Sequence, residues 1–185
     1  PSSRQIERGV MKEVSVDTIA REIARMSIEA ACDLPKDVEA ALRAAAEQEE
    51  SAFGKYAMDK VCRNFEIARE QGVPMCQDTG MAIVFAEVGQ DVHIVGGSFE
   101  DAVNAGIAQG YMDGYLRKST VIDPLFDRRN AGDNTPAIIY ARLVPGDSLT
   151  LTLMPKGAGS ENMSRLKMLK PAEGLAGVKD FVLQA

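Results

Sequence analysis

The sequence has no tryptophan and one histidine, His93. Histidine-rich metal sites are excluded, and a serine–histidine or cysteine–histidine pair could be built only on His93. Cysteine is sparse too: Cys32, Cys62 and Cys76. An odd number, in a chain of 185 residues that opens on no signal-peptide pattern, argues against a disulfide framework and leads us to expect a reducing cytoplasm. No apolar run approaches the ~18 residues of a membrane span, so a soluble protein with no membrane partner is expected. No more than two basic residues are consecutive, and 21 basic against 27 acidic residues leave a formal charge of −6. A nucleic-acid partner is therefore not expected, and any anion must be held by single well-placed groups.

What is present is an ordinary globular composition, 45% hydrophobic and 26% charged, enough for one domain and a small extension. Residues 1–10 (PSSRQIERGV) show no period and precede Met11; they are expected to be a vector-derived leader, leaving 11–185 as the domain. Val16, Ile19, Ile23, Met26 and Ala30 recur at helical spacing and predict a helix over 16–33, capped by Ser15 or Asp17. Leu34-Pro35 ends it. A second helix is predicted over 35–49, with Val38, Ala41, Leu42 and Ala45 on one face, and a third over 51–71, with Phe53, Ala57, Val61, Phe65 and Ala68 aligned and Gly72 as its stop. Residues 81–88 (MAIVFAEV) read as a buried strand and 91–95 as its hairpin partner. A helix over 99–116 stacks Val103, Ile107, Tyr111 and Tyr115. Strands follow at 137–144 and 148–154, the second alternating Leu149, Leu151 and Leu153 with threonine, and a last helix at 173–184. The expected fold is α+β: N-terminal helices, then a small, mainly antiparallel sheet flanked by helices.

Three loops collect polar groups beside glycines. Cys76-Gln77-Asp78-Thr79-Gly80 offers a thiol, an amide, a carboxylate and a hydroxyl within one turn. Composition alone reads it more simply as an Asx turn at Asp78 with Cys76 a small buried hydrophobe. Residues 116–119 (LRKS) and 127–136 (DRRNAGDNTP) gather cations beside turn residues, which suits a carboxylate but also describes a solvated loop. Residues 156–162 (KGAGSEN) follow a strand and could turn backbone N–H groups onto an anion, or serve as a flexible exit. Cys32 and Cys62 sit in helical segments and read as packing, and His93 as a structural or exposed strand residue.

In order, CQDTG at 76–80, LRKS at 116–119, RRNAGDNTPA at 128–137 and KGAGSEN at 156–162 resemble the α subunit, or N-terminal region, of class I iron–sulfur fumarate hydratases and their tartrate dehydratase relatives. The resemblance runs from about Val14 to the last residue. KGAGSEN is the form similar to fumarate hydratases. The resemblance implies a hydro-lyase that interconverts fumarate and malate, with tartrate or mesaconate as related substrates, on a [4Fe–4S] cluster held by three cysteines. By motif, Cys76 would be one cluster ligand. Asp78 would be the acid/base partner at the substrate hydroxyl and Gln77 a carboxylate donor, both catalytic. Arg117 would clamp a carboxylate, and the backbone N–H near Gly159 would meet the substrate's other end. Cys32 and Cys62 do not match the remaining ligand positions. The chain is therefore expected to be a truncated α part, inactive and without a stable cluster alone. Its partners would be the C-terminal part of the α subunit and a β subunit or domain, which would supply the proton-abstracting residue. Exposed contact surface would favour a homo-oligomer. Without the resemblance, the loops fit a non-catalytic anion-binding module, and the helical front fits an assembly domain that pairs subunits.

Overall fold

A computed structural model describes residues 11–185; the expected leader lies outside the described residues. In order, the elements are β1 (Lys12–Ser15), α1 (Val16–Cys32), α2 (Lys36–Gln48), α3 (Ala52–Gln71), β2 (Met81–Gly89), β3 (Val92–Val95), α4 (Phe99–Asp113), β4 (Ile138–Val144), β5 (Leu149–Lys156) and α5 (Gly174–Gln184). The α+β class is as expected, and three of the five α-helices (α1, α3 and α4) begin where a serine side chain satisfies a free N–H group. Ser15 Oγ accepts from Thr18 N at 3.2 Å, Ser51 Oγ from Gly54 N at 3.0 Å and Ser98 Oγ from Asp101 N at 3.3 Å. Gly72 ends α3 at φ +63°, a left-handed angle that glycine adopts without strain.

The strand pairing differs from the two expected hairpins. β2 does not pair with β3. It lies at the centre of a three-stranded sheet, parallel to β4 and antiparallel to β5, while β3 pairs in parallel with β1, a strand with no alternating pattern to announce it. The short link 145–148 joins strands that are not neighbours, because it passes over the end of β2. Gly89 N donates to Ser148 O at 2.8 Å, and a Cβ at Gly89 would stand 2.4 Å from Gly146 O. As the central strand, β2 has backbone groups bonded along both edges, where a single hairpin would have bonded only one.

Two strand–helix units, β1–α1 and β3–α4, stand side by side. Their strands pair and their helices form the main packing interface. α4 approaches α1 closely along Gly106, Gly110 and Gly114. A Cβ at Gly106 would lie 2.5 Å from Ala20 O, and one at Gly110 would lie 2.7 Å from Ala24 O. Ile19 and Ile23 of α1, Val103, Ile107 and Tyr111 of α4, and Ala82 and Val84 of β2 make the core with Leu116. Leu149, Leu151 and Leu153 pack onto it from β5, as their alternation predicts. The predicted stripe on α4 stops early: the helix ends at Asp113, and Tyr115 is 92% exposed at φ +51°. On α3 only Phe65 and Ala68 are buried, and Phe53 is 82% exposed. The outer face of the sheet carries Phe85 stacked on Tyr140 at 5.4 Å and an Arg142–Glu87 ion pair. Among the described residues no helix is long and apolar enough to cross a membrane.

The glycine contact sets a test. Gly106→Ala should lower the unfolding free energy by about 1–3 kcal/mol through overpacking, although alanine gains ~1 kcal/mol over glycine in an open helix. Urea unfolding followed by circular dichroism measures the change; a more stable variant would show that the helices can move apart at no cost.

Candidate active site

The three polar loops emerge at one edge of the sheet because β2 is paired on both sides. Met81 stands opposite Lys156, so the loop before β2 and the loop after β5 leave side by side. Ile83 stands beside Ile138 in parallel register, which brings the loop before β4 to the same edge. Residues 76–80, 116–137 and 156–162 therefore meet in space, far apart though they are in sequence.

The junction is Gly80. It has φ +68°, and a Cβ there would lie 2.3 Å from the Lys156 carbonyl carbon and 2.6 Å from Gly157 N, so only glycine lets the first loop touch the third. Its N–H donates to Asp78 Oδ1 at 3.1 Å. Its carbonyl accepts from Asn134 Nδ2 at 3.0 Å and faces the Tyr111 hydroxyl at 3.1 Å; that hydroxyl is also 3.0 Å from Thr79 O. Burial, and then the Asp78 carboxylate, push the Tyr111 phenol up to about 12, so it stays a neutral donor. Asn134 is fully buried, at φ +66°. Its Oδ1 accepts from Ser119 N at 2.8 Å and from Thr120 N and Oγ1, each at 3.1 Å. Thr79 Oγ1 donates to Arg117 O at 3.0 Å. The first and second loops are thus bonded on both flanks.

Of the predicted site residues, Gln77, Asp78 and Arg117 come together. Arg117 Nη1 donates to Gln77 Oε1 at 2.8 Å. Asp78 and Arg117 line one cleft of about 380 Å³ with Gly80, Ser119, Pro124 and Ala158. Asp78 does form the Asx turn that the plainer reading expected, through Oδ1, and its Oδ2 faces Gly157, where a Cβ would lie 3.2 Å away. Cys76 is exposed and lines a separate recess of about 170 Å³ that shares Asp78. Gly159 adjoins the cleft through Ala158; a Cβ there would meet nothing within 4 Å. Lys156 is turned onto Glu161 and the Gly157 carbonyl. A larger groove of about 570 Å³ between α1 and β5 is mainly apolar, and its Arg25 is already paired with Glu22 and Glu29. Ser119 and Asn134 lie in loops that the sequence marks but carry no site role there, Asn134 reading as a turn residue, and Tyr111 reads as core. The one signal was Asn134 beside Gly132 and Pro136, a cluster that marks a constrained turn.

Residues 20–185 match the family model described as fumarate hydratase (Fumerase). The chain belongs to that family. It is 37% identical over 90% of its length to the Methanocaldococcus jannaschii protein named "Putative L(+)-tartrate dehydratase subunit alpha". It is 27% identical over 94% of its length to L(+)-tartrate dehydratase subunit alpha of Escherichia coli strain UTI89. To the anaerobic class I fumarate hydratase of Escherichia coli K12 it is 37% identical over 64% of its length and 22% of that protein's. The chain spans 60% and 57% of the length of the two tartrate dehydratase relatives. Against the expected cluster, this fumarate hydratase family chain offers one exposed thiol in a polar turn. Cys32 is buried in the core, its thiol pushed up by burial and by Asp33; Cys62 is half-buried on α3. No group of three His, Cys, Asp or Glu side chains converges among the described residues. They fit one corner of a cluster and do not form its whole site.

Asn134→Ala should lower the unfolding free energy by about 3 kcal/mol, since Ser119 N, Thr120 N and Gly80 O lose the same partner at once. Chemical denaturation measures this; a loss below about 1 kcal/mol would show that the loops are held by other contacts.

Proposed function

We propose that this chain is part of a hydro-lyase that reversibly hydrates fumarate to malate. The observation that carries the reading is that Asp78 and Arg117 line one cleft, with Gln77 bonded to Arg117, on loops whose motifs resemble those of class I fumarate hydratases. Arg117 and Gln77 act together. Because Gln77 Oε1 accepts from the guanidinium, its amide N–H₂ is oriented as a donor, and the remaining N–H groups of Arg117 are left for a carboxylate. A dicarboxylate can so be gripped at one end by two fixed sources of N–H. Asp78 holds its own turn with Oδ1 and keeps Oδ2 for proton exchange at the substrate hydroxyl. The backbone near Gly159 contacts the substrate's far end, where the bare glycine leaves room for it.

Cys76 would supply one thiolate to an iron–sulfur cluster, whose other ligands would come from beyond the described residues. Such a cluster, when bound, provides Lewis acidity that eases departure of the hydroxyl. The partners are a further α segment and a β subunit or domain, which carries the proton-abstracting group, in a cytoplasmic, homo-oligomeric enzyme of the tricarboxylic acid cycle. With one exposed thiol in place of three, the chain alone is inactive. A second reading, L-tartrate as substrate, is favoured by one observation: the tartrate dehydratase relatives match 90% and 94% of the chain, the fumarate hydratase 64%.

The deciding experiment reconstitutes the chain anaerobically with its partner polypeptide, iron and sulfide, and assays fumarate, mesaconate and L-tartrate side by side. Turnover of fumarate above the others is expected; turnover of tartrate alone favours the second reading, and none, beside a competent reference enzyme, removes both. Cys76→Ser should abolish cluster absorbance after reconstitution, and full uptake would refute the ligand assignment. Arg117→Lys keeps the charge but loses the planar fork, so KM should rise roughly ten-fold or more. Unchanged KM and kcat would mark Arg117 as a surface residue.

A further inference from the structure

Much of the stretch 117–120 is bonded within the protein. The Arg117 carbonyl accepts from Thr79 Oγ1 at 3.0 Å, and the Lys118 carbonyl from Asn130 Nδ2 at 2.9 Å. The N–H groups of Ser119 and Thr120, and the Thr120 hydroxyl, all donate to Asn134 Oδ1. One buried side-chain atom is left over. Ser119 Oγ is buried from solvent and has no hydrogen-bond partner. A buried hydroxyl without a partner forfeits its hydration and receives nothing in exchange, so such a group is kept where something else completes it. Ser119 lines the same cleft as Asp78 and Arg117 and is part-buried as a residue, and a serine hydroxyl has three staggered positions about χ1.

We propose that Ser119 is a ligand-binding residue: its hydroxyl donates a hydrogen bond to a carboxylate oxygen of a small dicarboxylate held in the cleft beside Arg117. The ligand class follows from the surroundings. A hydroxyl donor two residues from a guanidinium presents neighbouring positive and donor groups to one anion, and the cleft of about 380 Å³ admits only a small one. Asn134 holds the Ser119 N–H, so the backbone under the hydroxyl is fixed before the ligand arrives. The inference rests on the reading of the cleft as a dicarboxylate site and adds to it a residue that the motif resemblance did not assign.

The test uses the enzyme assembled from this chain and its partner polypeptide, with malate as the probe. Malate Kd and ligand-free unfolding temperature are measured for wild type, Ser119→Ala, Ser119→Thr and Arg117→Lys. Ser119→Ala should raise Kd about ten- to hundredfold without lowering the ligand-free unfolding temperature, because it deletes a hydroxyl that bonds to nothing in the free protein. Ser119→Thr, which retains the hydroxyl, should bind within a few-fold of wild type. If Ser119→Ala binds like wild type while Arg117→Lys binds weakly, the proposal is overturned and the cleft reading stands. If Ser119→Ala loses affinity only together with ligand-free stability, and threonine does not restore it, the role is structural and the proposal is overturned. If wild type does not bind malate, or Arg117→Lys also leaves Kd unchanged, the cleft reading and the proposal fall together.

Discussion

The peptide groups around Gly80 gather hydrogen bonds from all sides: Tyr111 and Asn134 at its carbonyl, Asp78 at its nitrogen, and the Lys156–Gly157 backbone pressed against its α-carbon. Each contact comes from a different part of the chain. The Tyr111 hydroxyl reaches out of the core and stays protonated because burial disfavours the phenolate. Asn134 comes from the loop before β4, and residues 156 and 157 from the end of β5. Gly80 can receive them only because it lacks a side chain and takes a left-handed angle. The arrangement of Asp78, Gln77 and Arg117 depends on this junction, since Asp78 and Gln77 precede it directly and Arg117 is tied to it through Thr79 and Asn134.

The helices were the most legible part of the fold. Serine caps at 15, 51 and 98 and the stop at Gly72 are local signals, and local signals survive folding. The exposure of Phe53 was not legible, because a helical stripe reports amphipathicity and not what covers it. Strand pairing was illegible for a different reason. The links 89–91 and 145–148 have hairpin length, but length constrains only how far the chain can travel. Gly89 allows the second link to pass over β2, and β3 finds β1, whose sequence carries no alternation. Residues 81–88 announce a strand but not its partners: Ala82, Val84 and Ala86 are buried while Phe85 is exposed on the outer face, a pattern that an edge strand or a central one can show.

At the site, the residue types in CQDTG, LRKS and KGAGSEN pointed to polar chemistry but left plain turn readings open, and the resemblance supplied the roles. Asp78 shows why the choice was hard: it is an Asx-turn residue and a cleft residue at once, one oxygen for each. Asn134 was hidden because a buried asparagine and a solvated turn asparagine look the same in one sequence. Gly157 and Gly159 look equivalent in KGAGSEN, yet only the first is pressed against another loop.

The pairing of β1 with β3 and of α1 with α4 also governs how the molecule is made. These units are separated by α2, α3 and β2, so the principal core has high contact order, and a long loop must close before it exists. During synthesis α1 emerges early with Ile19 and Ile23 uncovered, and it waits until α4 has left the ribosome. Only α2 and α3, which pack against each other and are adjacent in the chain, can settle in the interval.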